Sequence, residues 1–209
     1  VKAAMGATAF GSELERLARN ATAASADRAR AIYELQRHGL PPSAEFLRAV
    51  AGDADANVRA AAVYVAGIHT TPGAKAVAAA ALKDADAMVQ RRAAEAIVRQ
   101  GLQPGRASFA PIADIYALLR SSDRFVRYSG RLALEHTPRR EWVAMVMRET
   151  DVVALTEGLL ALTNTAALAT EPAALPSELR PIFEKLIALM RQTALPADKT
   201  YTLQLQAAE

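Results

Sequence analysis

The side chains best suited to recognition sit between positions 91 and 131. Phe125 and Tyr128 lie three residues apart, with Arg124, Arg127 and Arg131 around them. Three residues is close to one helical turn, so on a helix the two rings share a face. Arg and Tyr are enriched in protein interfaces. Arg91 and Arg99 lie off the apolar stripe of the preceding repeat helix. Together Arg91, Arg99, Arg124, Phe125, Arg127, Tyr128 and Arg131 make the candidate partner-binding set, with Tyr64 and Glu95 also on the polar side of these helices. The two rings can equally pack on the helix that follows. A second cluster is "TPRREW", where Arg139 and Arg140 precede Trp142, the single Trp. Such a group can meet a phosphate or a base, but a lone Trp between helices more often plugs a core.

Residues that could perform catalysis are missing. With no cysteine in the sequence, thiolate nucleophiles, disulfides and zinc–thiolate or iron–sulfur ligation have nothing to use. There is no G-x-S-x-G elbow and no Gly-rich phosphate loop. His38, His69 and His136 show neither His-x-x-x-His nor Glu-x-x-His spacing, and each falls at the end of a helical stretch, where a polar or cationic group suits the dipole. Glu149 and Asp151 sit at a helix junction, where capping accounts for them. The expectation is a non-enzyme with no catalytic residue, metal site or cofactor.

The elements that must carry these residues come from an internal repeat. "DANVRAAAVYVA", "DAMVQRRAAEAIV" and "SDRFVRYSGRLAL" align on Val58, Val89 and Val126, spaced by 31 and then 37 residues, each with an Asp three positions earlier. Asp55, Asp86 and Asp123 stand where a helix N-cap belongs, accepting the free N–H groups of the first turn. Apolar residues then recur at helical spacing: Val58, Ala62, Val65 and Ala66; Val89, Ala93, Ala96 and Ile97; Val126, Gly130, Ala133 and Leu134. Gly67 and Gly101 are placed to end two of these helices. Weaker copies begin at Ser25, with Asp27, and at Asp151. Between the copies lie further helices, one capped by Ser43, one with Pro72 near its first position, and one from Pro111 to Arg120. Beyond them the pattern predicts a helix over Pro138–Arg148, another over Val152–Asn164, and one from Ser177 to Met190. Ser12 is the expected cap of the first helix. Arg59 and Arg127 follow their anchor valines, and in stacked repeats such an Arg can reach the Asp of a neighbour. Gln90 takes that place in the middle copy.

Paired helices of this period cannot bury their apolar stripes alone; stacked, they form one continuous core. Composition agrees: hydrophobic residues make up 52% and aromatics 5%, with Ala, the best helix former, dominating. No apolar run reaches the ~18 residues of a membrane span. The net charge of +3 is mild for a nucleic-acid binder.

Asp, then Val-Arg, then small-apolar-small residues in paired helices resembles HEAT repeats. The residues that carry the likeness are Asp55/Val58/Arg59/Ala62, Asp86/Val89/Ala93 and Asp123/Val126/Arg127/Ala133. The resemblance implies an all-α fold, a right-handed α-solenoid of antiparallel helix pairs in an armadillo-type superhelix. It implies one such domain over residues 1–209, whose second helices line a concave face for partners. Both ends read as cut from a larger protein. Ser121 to Asn164 is also similar to a segment of large, secreted, multidomain bacterial proteins that carry a c-type haem domain beside HEAT repeats. That likeness implies a periplasmic or envelope setting and a scaffold role; no C-x-x-C-H occurs here, so any haem would lie outside this segment. The expected function is a non-catalytic scaffold or protein–protein interaction module, its partner another protein or a neighbouring domain of the same chain. The alternative is nucleic-acid binding along an Arg-rich concave face.

Overall fold

The structure, a computed structural model, describes residues 2–100 and 108–167 and scattered positions between 180 and 191. Among these residues there is helix and no strand. α1 (Lys2–Met5) and α2 (Ala7–Arg19) lead into α3 (Ser25–His38). Next come α4 (Ala44–Ala51) with α5 (Ala56–Ala66), α6 (Pro72–Ala80) with α7 (Ala87–Gln100), α8 (Ile112–Ala117) with α9 (Arg124–Glu135), and α10 (Val143–Arg148) with α11 (Val152–Ala167). Single 3₁₀ turns prolong α6 over Ala81–Lys83 and α8 over Leu118–Arg120.

The chain forms two compact units, one holding α1–α7 with residues 109–111, the other holding α8–α11. In the first, the second helices of successive pairs, α3, α5 and α7, pack side by side, and α2, α4 and α6 form the opposite layer. In the second, α9 packs on α8 and on α11, and α11 on α10. Val58, Val89 and Val126 are all buried, as are the apolar residues that follow each of them in register. Burial of each valine side chain contributes about 1.5–3 kcal/mol.

The helix entries repeat one hydrogen-bonded turn. Asp55 accepts from the N–H of Asn57, Asp86 from Met88 and Val89, Asp123 from Phe125 and Val126, and Asp151 from Ala154. Two residues before each cap stands another acceptor. Asp53, Asp84, Ser121 and Glu149 take the N–H of Asp55, Asp86, Asp123 and Asp151. The residue after each anchor valine folds back on the same turn. Arg59 donates to the carbonyls of Asp53 and Ala54, Gln90 to that of Asp84, and Arg127 to those of Ser121 and Ser122. Gln90 thus keeps the carbonyl bond and gives up the charge.

Arg59 also reaches the next pair. Its Nε and Nη2 each lie 2.8 Å from an Asp84 carboxylate oxygen. One repeat earlier, buried Arg28 makes the same bridge to Asp53 and holds the Ala18 carbonyl through Nε. The acid of each bridge is the turn residue Asp53 or Asp84, two positions before the capping Asp. That Arg59 bond holds the Asp84 carboxyl below the usual carboxylate range, against the opposing effect of burial.

Several local expectations change. Ser12 lies inside α2, whose N-cap is Gly6, and its hydroxyl donates to the Thr8 carbonyl. α3 starts at Ser25 with Ala24 as N-cap, so Asp27 lies within its first turn. Gly67 does not end α5 in the left-handed conformation; its φ is −65°. It is glycine because α7 comes close: a Cβ there would lie 2.7 Å from the Ala96 Cβ and 2.9 Å from an Arg99 nitrogen. The Pro138–Arg148 stretch is a 3₁₀ turn over Arg139–Glu141 followed by α10, not one helix. Ser43 does cap α4, accepting from the Phe46 N–H, and Thr71 caps α6 ahead of Pro72. Gly101 and the Ser177 helix start fall outside the described residues.

Candidate binding surfaces

α9 is split lengthwise by burial. Val126, Ser129, Gly130, Ala133 and Leu134 face inward. Phe125 and Tyr128 face outward, 49% and 51% exposed. Each ring carries a guanidinium. Arg124 sits 4.6 Å from the Phe125 centroid and Arg131 5.2 Å from that of Tyr128, within cation–π range. The arginines of the set do not share one environment. Arg124 is exposed. Arg127 and Arg131 are largely covered and converge on buried Glu157 of α11, at 3.6 and 3.2 Å, and Arg131 also pairs with Glu135 at 3.1 Å. Their charge is met within the fold, which leaves Arg124, Phe125 and Tyr128 as the outward patch.

Arg91 and Arg99 lie on α7, in the other unit. Arg91 is bonded to Glu95 at 2.8 Å, and Arg92 binds the second oxygen of the same carboxylate at 2.7 Å. Burial raises the Glu95 carboxyl, but the hydrogen bonds and charges of Arg92 and Arg91 outweigh it and hold the group below the usual range. Arg99 is exposed and lies 5.1 Å from the Tyr64 ring centroid, with Arg92 at 5.3 Å from the same ring. Tyr64 meets Tyr33 of α3 edge to face, centroids 5.5 Å apart. These rings line a cleft of about 450 Å³ with Gln36, Arg37, Ile68 and Arg92. Burial pushes the Tyr33 phenol above its ordinary value.

Of this cleft the sequence reading had only Tyr64; it missed Tyr33, Gln36, Arg37, Ile68 and Arg92. The signal was available. Tyr33 precedes Tyr64 by the same 31 residues that separate Arg28 from Arg59, a register that aligning the first copy on Asp27 hides.

The remaining candidates are structural. Trp142 is fully buried and donates from its indole N–H to the Thr137 carbonyl. His136 donates to the Leu132 carbonyl, His69 lies 2.6 Å from the Gln36 side-chain oxygen, and His38 lies 3.4 Å from Glu34. Among the described residues no three His, Cys, Asp or Glu side chains converge as a metal site, and no helix is long and apolar enough to cross a membrane.

Helix pairs that stack through buried small residues, tied by Arg–Asp bridges from one pair to the next, define an all-α solenoid. Residues 13–98 match the family model described as HEAT repeats. The match runs from within α2 to near the end of α7, and HEAT repeats generally serve as scaffolds or interaction modules. Among solved structures, the crystal structure of an engineered protein from the Northeast Structural Genomics Consortium is similar over 85% of this chain and 97% of its own, at 17% identity and a TM-score of 0.43. No curated protein matches the chain.

Proposed function

We propose that this chain is a non-catalytic protein-binding module that docks its partner on the α9 patch of Arg124, Phe125 and Tyr128. The observation that carries the reading is the half exposure of two aromatic rings one turn apart, on a helix whose other side is buried. Aromatic residues that keep so much surface in water and bury it in a complex are typical binding hot spots. The partner is a protein, in another chain or in a neighbouring domain of a longer polypeptide. The similarity of Ser121 to Asn164 to secreted multidomain proteins puts a haem-bearing domain among the candidates. Nucleic acid is disfavoured because Arg127 and Arg131 are spent on Glu157 and Glu135.

The test places a benzophenone amino acid at position 128 and, as a control, at exposed position 45 of α4. Protein adducts formed at 128 and not at 45, and reduced by Phe125→Ala with unchanged circular dichroism, support the patch. Truncating a hot-spot ring typically costs at least about 2 kcal/mol of binding, so Tyr128→Ala should weaken capture of the cross-linked partner about thirtyfold. The same adducts at both positions, or unchanged capture by Tyr128→Ala, would remove α9 as the docking surface.

A further inference from the structure

The cleft of the first unit is built on columns with a 31-residue step. Tyr33, Tyr64 and Glu95 form one column along α3, α5 and α7; Arg37, Ile68 and Arg99 form the next. In the second column an apolar side chain, Ile68, 39% exposed, stands between two exposed arginines. Neither Arg37 nor Arg99 has a carboxylate partner among the described residues, whereas Arg91 and Arg92 share Glu95 and Glu34 faces His38. Arg37 and Arg92 line the cleft and Arg99 lies over its Tyr64 ring; of the three, Arg92 alone is paired with a carboxylate among the described residues. The floor is the Tyr33–Tyr64 pair, and Arg92 and Arg99 lie over Tyr64.

We infer that this cleft binds an extended acidic peptide in which two carboxylates, about three residues apart, flank an apolar side chain. The spacing follows from the stack. The Arg99 guanidinium leans back from α7 over Tyr64 and Gly67 of the α5 layer, so it stands about one helix spacing, 8–10 Å, from α3, which an extended chain rising about 3.3 Å per residue covers in about three residues. The carboxylates pair with Arg37 and Arg99, and the central side chain lies against Ile68 and Tyr64. The complementary charges are exposed at the rim, so they set encounter and register, and the binding weakens with salt. The site is separate from the α9 patch and rests on different residues.

The probe is a fluorescein-labelled serine-rich heptapeptide with glutamates at its second and fifth positions and leucine between them, followed by fluorescence anisotropy in 50 mM salt. The intact 209-residue chain should bind it, and should bind at least tenfold more weakly the version with glutamines in place of the glutamates. Arg37→Gln and Arg99→Gln, both at exposed positions, should each weaken binding at least fivefold with unchanged circular dichroism. Ile68→Ser should weaken binding of the leucine peptide and leave that of an all-serine-core peptide unaffected. Tyr128→Ala should change nothing, which separates this site from the α9 reading. No binding by the parent chain, parental affinity in both arginine variants, or loss on Tyr128→Ala overturns the assignment. So does a single-stranded oligonucleotide that displaces the peptide and depends on the same two arginines.

Discussion

Arg59 and Asp84 offer a designed comparison, because the chain itself supplies the substitutes. Gln90 stands one repeat on from Arg59, and Ser121 holds the turn place of Asp84. Arg59→Gln should keep a bond to the Asp53 carbonyl, as Gln90 keeps one to Asp84, and lose the carboxylate. Asp84→Ser should keep an acceptor for the Asp86 N–H, as Ser121 does for Asp123, and lose the cation's partner. Each single variant strands a charge that is 14–17% exposed in the parent. Truncating one partner of a fully buried pair costs about 3–5 kcal/mol, and a charged hydrogen bond about 1.5–3; partial access to water puts each single variant near 2–3 kcal/mol. The double variant strands nothing, so the singles should overstate its loss by about 1–3 kcal/mol. At roughly 2–4 °C per kcal/mol for a chain of this size, each single variant should melt about 4–12 °C lower in calorimetry. The coupling has a pH signature. The Asp84 carboxyl is held below its ordinary value when folded. A depressed carboxylate contributes stability above its unfolded pKa, about 3.9, and loses it as pH falls through the folded value. The coupling should be full at pH 7 and decline below about pH 4. Additive single variants at pH 7, within about 0.5 kcal/mol, would refute the idea that the bridge acts as a unit between helix pairs.

Val89→Asp sets a carboxylate in the stack of the first unit, where Val89 is 1% exposed; a loss of more than about 3 kcal/mol is expected in urea unfolding. Gly67→Ala tests close approach against chain entropy. At a right-handed φ with room to spare, alanine would stabilise by about 0.4–1 kcal/mol. The 2.7 Å meeting with the Ala96 Cβ reverses the sign to a loss of about 1–3 kcal/mol, read as a lower melting temperature. Trp142→Ala should cost about 3–5 kcal/mol, and the parent's tryptophan emission should be that of a buried indole until the second unit unfolds.

Much of the local structure was legible because it is written in one dimension. Asp55, Asp86, Asp123 and Asp151 read as caps, and they are. A helix must satisfy its first N–H groups with something nearby in the chain. The anchors Val58, Val89 and Val126 read as core because a 3.6-residue period puts them on the stripe. Ser12 misled because a hydroxyl at the right distance from an apolar run is only permissive; α2 begins five residues earlier and the hydroxyl bonds back along the helix. For Trp142 the sequence favours a core plug over a phosphate contact, and its full burial and bond to the Thr137 carbonyl place it in the core.

Sequence alone thus settled the Asp-capped helix entries and which face of each repeat helix turns inward. Those follow from backbone hydrogen bonding and hydrophobic period within a dozen residues. Tertiary structure decided what lies across the gap between helices. It bridged Arg28 to Asp53 and Arg59 to Asp84, made Gly67 necessary, tied Arg127 and Arg131 to Glu157, and left Phe125 and Tyr128 in water. It also joined Tyr33 to Tyr64 over a cleft. Such contacts join residues some 25 to 31 positions apart, and only the stacking of one helix pair on the next brings them within a few ångströms.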